Sequence, residues 1–171
     1  LKELVKQWMV TDEDISLQEV LGKLLKSRRQ TMATAESCTG GYAAHLITSI
    51  PGSSAYFTGG LIPYQNNIKE KALQVQAETL STSGAVSEET VREMITGALN
   101  LFGSDYALAT SGIMGPDGGT ETRPVGTVWI AAGNRRSMET RKLSLRFDRQ
   151  RNIELTAANV LNLLRKFILS N

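Results

Sequence analysis

Residues 31–41 read TMATAESCTGG, and the fold turns on them. TMATA (31–35) has the small and β-branched character of a short buried strand. Ser37-Cys38-Thr39-Gly40-Gly41 then leads into a run of small and apolar residues from about Tyr42 to Ile50, which Pro51-Gly52 stops. A strand that passes through a glycine-bearing turn into a helix is the repeating unit of α/β proteins.

Outward from that unit, the same alternation recurs. Upstream, Ser16 is an N-cap and Glu19 stands three residues on, the capping-box spacing. Leu17, Val20, Leu21, Leu24 and Leu25 then make one apolar helix face, and Lys26, Arg28 and Arg29 close the last turn. Downstream, YFTGGLIPY (56–64) reads as a strand with a Gly-Gly interruption, followed by a short helical stretch, IKEKAL. Ser87 caps a helix running to about Phe102, with Val91, Met94, Ile95, Ala98, Leu99 and Phe102 inward and Gly103 at its end. DYALATSG (105–112) and VGTVWIAAG (125–133) are strands. The second reverses at Gly133-Asn134 into another, in which Leu143, Leu145 and Phe147 alternate with polar residues. A last helix spans about Gln150 to Leu169. This order predicts a three-layer α/β/α sandwich around a mixed, mainly parallel sheet.

In such folds ligands gather at the carboxyl ends of the strands. The segments 36–41, 64–69 and 111–121 fall there, and their side chains are the candidates for chemistry. Ser37 sits where strand meets helix. It serves either as a helix cap or as a nucleophile beside backbone N–H groups that suit a phosphate or an oxyanion. The chain's one histidine, His45, lies eight residues on, roughly 12 Å along the same helix, which rules out a Ser-His-Asp triad within the chain. A lysine or tyrosine base remains, and Tyr64 and Lys69 lie just past a strand end. On spacing alone Lys69 reads first as a solvated helix lysine, like Lys71. Cys38 is the rival nucleophile, with packing as the plainer use of a lone cysteine beside a strand end. The loop Ser111-Gly112-Ile113-Met114-Gly115-Pro116-Asp117-Gly118-Gly119 is rich enough in glycine to wrap a ribose or phosphate, or to be a tight irregular turn. Arg149, after Asp148, has the guanidinium geometry for a phosphate or carboxylate.

Composition narrows the classes. The chain has 171 residues, a hydrophobic fraction of 41% and a charged fraction of 21%, which describe one globular domain rather than a disordered segment. Mean hydropathy is −0.17 and no apolar run approaches the roughly 20 residues of a membrane span. A single cysteine excludes an internal disulfide and, with a single histidine, leaves no donor set for a typical zinc site; it fits a cytoplasmic protein without metal or cofactor. A net charge of +2 and no basic–aromatic strip argue against a nucleic-acid partner. Residues 1–15 are polar and begin with Leu1, and read as a tail or linker from a longer polypeptide that precedes a domain over 16–171.

AESCTGG, GSSAYFTGGLIPYQNNIK, GAVSEETV, SGIMGPDGG, PVGTVWIA and the late Asp-Arg pair occur in that order over about residues 17–169. Together they resemble the C-terminal domain family of the competence/damage-inducible protein CinA, whose stand-alone members are nicotinamide-nucleotide amidases (PncC). The resemblance implies hydrolysis of nicotinamide mononucleotide to nicotinate mononucleotide and ammonia, on an α/β/α sandwich that is usually a homo-oligomer and commonly a dimer. It implies Ser37 as nucleophile, with Tyr64 and Lys69 assisting. Substrate contacts are expected from Cys38, Thr39, Gly40, Gly41, Asn67, Ser111, Gly112, Gly115 and Arg149. Three positions depart from the family pattern: Met114 replaces a small residue, Pro63 precedes the tyrosine, and Phe147 replaces a glycine. A pocket closed by Met114 or Phe147 would instead fit a non-catalytic ligand-binding or oligomerising module of a two-domain protein.

Overall fold

The structure, a computed structural model, describes residues 15–171. The expected tail over 1–15 therefore lies, Ile15 apart, outside the described residues. Helix α1 (Leu17–Arg28) opens on the capping box. The Ser16 hydroxyl accepts from the Glu19 N–H, and the Glu19 carboxylate accepts the Ser16 N–H at 2.8 Å. Leu21 and Leu25 are its buried stripe. Arg29 leaves the helix in the left-handed conformation (φ 54°), so it forms the C-cap rather than part of the last turn.

Five strands form one sheet: β1 (Met32–Glu36), β2 (Phe57–Leu61), β3 (Tyr106–Gly112), β4 (Thr127–Gly133) and β5 (Met138–Ser144), in the order β2-β1-β3-β4-β5. β1 pairs in parallel with β2 and β3, and β4 pairs antiparallel with β3 and β5. Four strands thus point one way and β4 alone opposes them. The helices are α2 (Tyr42–Thr48), α3 (Asn66–Leu73), α4 (Ala77–Thr82), α5 (Glu88–Phe102) and α6 (Arg149–Ser170), with a 3-10 turn at Ser53–Ala55.

Alternation along the strands divides the core. Leu108, Val128, Ile130 and Ala132 pack with Leu21, Leu25, Ile47, Val160 and Leu164 from α1, α2 and α6. The opposite face presents Ala35, Ala107, Ala109 and Ala131 to Val91, Ile95 and Ala98 of α5 and to Leu73 of α3. Small residues on that face let α5 lie close to the sheet. The result is the expected three-layer sandwich. Because α2, α3 and α6 come after strands, at their carboxyl ends, while α1 and α5 lead into strands at their amino ends, all five point their N-termini to one pole.

Differences from the sequence expectation are local. β2 stops at Leu61, because Pro63 has no N–H to donate and the Tyr64 N–H turns back on the Ile62 carbonyl (2.9 Å). β5 stops at Ser144, and Phe147 has left the sheet. Helix α6 begins at Arg149, since the Asp148 carboxylate caps the Arg151 N–H at 3.0 Å. α4 and the 3-10 turn were not expected. Among the described residues no helix is long and apolar enough to cross a membrane.

Candidate active site

Ser37 comes directly after β1, and its N–H donates to the Thr110 carbonyl at 3.0 Å, which prolongs the β1–β3 ladder by one residue. It is not a helix cap: Gly41 holds that place on α2 and offers no side chain. The side chain is 7% exposed, and its hydroxyl has no hydrogen-bond partner among the described residues. What fixes the turn is Glu36, which is fully buried. Its carboxylate accepts from the Thr39 hydroxyl (2.7 Å) and from the Ala43 (2.9 Å) and Ala44 (2.7 Å) N–H groups. The Thr39 and Thr110 hydroxyls pair at 2.8 Å.

Glu36 corrects one sequence expectation. The first N–H groups of α2, read as a ready site for phosphate, are already taken from the protein side. Thr39 is turned into that buried network, and Gly40 and Gly41 border a separate groove with His45 and Leu61. The sequence carried Glu36 only as part of AESCTGG, because nothing local announces that a carboxylate seven residues upstream will cap a helix.

Lys69 lies in the first turn of α3 yet is only 1% exposed. Its ammonium reaches back to donate to the Pro63 carbonyl (2.8 Å) and the Tyr64 carbonyl (3.2 Å), and no carboxylate pairs with it among the described residues. The solvated reading of this residue is therefore wrong. Burial pulls its pKa below the ordinary lysine value, opposed in part by the nearby Cys38 sulfur. Cys38 is itself 7% exposed, and burial pushes its thiol up to about 12. That thiol stays protonated at neutral pH and is a poor nucleophile.

Tyr64 is half exposed and its hydroxyl accepts from Arg149 Nη2 at 3.1 Å. Arg149 Nη1 donates to the Gly115 carbonyl at 2.8 Å. One side chain at the start of α6 thereby joins the segment after β2 to the loop after β3. Ser111, nearly buried, donates its hydroxyl to the Ala85 carbonyl at 2.7 Å and holds the Ala85–Val86 segment against the same space.

Ser37, Cys38, Tyr64, Lys69, Ser111, Gly112, Gly115 and Arg149 line a single cavity of about 280 Å³, with Asn66, Met114, Asp117 and Gly118 among its other walls. Thr39, Gly40, Gly41 and Asn67 do not line it. Asp117 is the one carboxylate among the described lining residues; sequence reading passed over it as a loop residue. Met114 forms a wall and is 3% exposed, while Phe147 is 57% exposed and lies outside the lining. Neither fills the space. A larger crevice of about 460 Å³ lies at the opposite pole, where helix C-termini gather. Its Arg135 is committed to the Leu99 carbonyl and Asn100 at the end of α5, a capping use. No group of His, Cys, Asp and Glu side chains suited to a metal ion occurs among the described residues.

Residues 14–168 match the family model of the CinA C-terminal domain. A CinA-like protein from Cytophaga hutchinsonii is 52% identical over 151 residues, covering 88% of this chain but 36% of that protein. The chain thus spans little more than a third of that relative's length. A protein named nicotinamide-nucleotide amidohydrolase PncC, from Escherichia coli, is 52% identical over 123 residues, 72% of this chain and 74% of its own. The crystal structure of a CinA superfamily protein from Klebsiella pneumoniae superposes with a TM-score of 0.86 at 34% identity, covering 92% of this chain and 100% of that one.

Proposed function

The chain belongs to the CinA C-terminal domain family, and from that premise we propose that it is a serine amidohydrolase that converts nicotinamide mononucleotide to nicotinate mononucleotide and ammonia. The observation that carries this reading is the meeting, in one cavity, of a Ser37 hydroxyl and a buried lysine that, among the described residues, have no hydrogen-bond partner and no counter-ion respectively. The likeness to the Escherichia coli amidohydrolase supports the substrate.

The Ser37 oxygen attacks the carboxamide carbon while its proton passes to neutral Lys69. No direct hydrogen bond joins the two side chains in the free protein, so the bound substrate brings them into contact. The tetrahedral oxyanion needs a donor. The Cys38 N–H, which has no acceptor outside its own residue among the described residues, supplies it, worth about 3 kcal/mol. Collapse breaks the C–N bond, and the leaving nitrogen takes a proton from Lys69 or from Tyr64. Because the Tyr64 oxygen accepts from Arg149, its own O–H stays free to donate. Water then hydrolyses the acyl-serine by the same path in reverse. Arg149 keeps N–H groups unused among the described residues for the phosphate.

The test is ammonia release from nicotinamide mononucleotide by the wild-type chain and by Ser37→Ala. We expect release from the wild type and a loss of at least about 10³-fold in the variant, with an unchanged unfolding midpoint. Equal release from both would remove Ser37 from the chemistry.

A further inference from the structure

Asn152 stands in the first turn of α6, three residues beyond Arg149, and is fully buried. Its amide nitrogen donates to the Met114 carbonyl at 3.1 Å and to the Phe147 carbonyl at 2.9 Å. Its oxygen accepts the Phe147 N–H at 3.3 Å. Both donors and one acceptor site are thus spent on the backbone of two loops, 113–119 and 145–148. Among the described residues, Asn152 and Arg149 are the two side chains on α6 that bond to the first of these loops, at adjacent carbonyls, Met114 and Gly115.

We infer that Asn152 is a positioning residue for the nucleotide phosphate, acting through Arg149; the inference rests on the function proposed above. The Arg149 guanidinium must meet the Gly115 carbonyl and the Tyr64 hydroxyl at once to present its remaining edge to the cavity. A shift of the Met114 peptide carries Gly115 with it and removes one of those two anchors. An amide is the group that fits, since the place demands two donors and an acceptor together. An ionised Asp has no donor and would face two carbonyl oxygens. Ala removes the partner of the buried Met114 carbonyl and of the half-buried Phe147 carbonyl and N–H.

The experiment measures both calorimetric binding and turnover of nicotinamide mononucleotide for the wild type, Asn152→Ala, Asn152→Asp, Arg149→Ala and the Asn152→Ala/Arg149→Ala double variant. For Asn152→Ala we expect Kd and KM to rise about tenfold or more, with a smaller fall in kcat, because Ser37 and Lys69 stand on other elements and only Tyr64 feels the shift of Arg149. In the Arg149→Ala background the second change adds less than about twofold. For Asn152→Asp, which keeps the shape if Asn152→Ala folds poorly, the Kd defect shrinks as the pH is lowered and the new carboxyl becomes a donor. A drop in unfolding midpoint with Kd unchanged, or full additivity with Arg149→Ala, overturns the inference. Binding without turnover by the wild type would fail the amidase reading alone, and the Kd comparisons would still decide the role of Asn152. A wild type that does not bind the nucleotide would sink both.

Discussion

A lysine held at 1% exposure against two carbonyl oxygens, with no carboxylate paired to it among the described residues, is an expensive residue to keep unless its neutral form is used. As a general base Lys69 must be neutral, so activity should rise with pH along a limb centred below the ordinary lysine value of 10.5. Lys69→Met should remove that limb and lower kcat by about 10²- to 10⁴-fold. The stability effect has a definite sign. A folded-state pKa below the unfolded one means that the unfolded chain holds more protons between the two values, so stability rises with pH across that window. The wild type should therefore gain in unfolding midpoint relative to Lys69→Met as pH climbs toward 10.5. A flat difference in midpoint together with a flat activity profile would deny Lys69 the role of base. Ser37, Tyr64, Lys69 and Arg149 were legible in the sequence as types at strand ends. The burial of Lys69 was not, because it depends on the chain at Pro63 and Tyr64 offering its carbonyls to an ammonium that reaches back from the following helix. Glu36 and Asn152 were illegible for a similar reason: each serves backbone groups that local pattern does not bring near.

Elements were easier to read than contacts. The capping box at Ser16, the Ser87 cap and the apolar stripe of α5 are signals of a turn or two, and each fell where the pattern put it. α4 escaped because AETLST has a single large apolar side chain, Leu80, and no period to detect. How α3 sits on α5 depends on one glycine. A methyl group at Gly97 would meet the Leu73 carbonyl and its Cα, both backbone, which cannot swing aside. Gly97→Ala should thus cost about 1–3 kcal/mol, read as a lower denaturant midpoint at unchanged slope. Leu73 is one turn from Lys69 on the same helix, so kcat per folded molecule should fall as well. Unaltered kcat would mean that the seat of α3 does not govern the placement of Lys69.

At the scale of the molecule, five helices turn their N-terminal, partly positive ends to the pole that holds the cavity. Carboxylates already stand at four of them, Glu19 on α1, Glu36 on α2, Glu88 and Glu89 on α5 and Asp148 on α6, which leaves the start of α3 and the Arg149 guanidinium to favour an anion. Raising salt to about 0.5 M should therefore raise KM for nicotinamide mononucleotide by a few-fold. Nicotinamide riboside, which lacks the phosphate, should show no such rise, and an equal response from the two would place the salt effect elsewhere. The fold class was readable because strand and helix signals alternate, but this common polarity emerged only from strand directions. The Arg149–Tyr64 contact spans 85 residues and ties the segment after one edge strand, β2, to the helix after the other, β5. An occupant of the cavity therefore touches groups drawn from separate stretches between Ser37 and Arg149, which cannot part without weakening its hold. Its binding energy is shared by the entire cooperative unit, so that saturation with ligand lifts the unfolding transition as one sharpened event instead of protecting a patch.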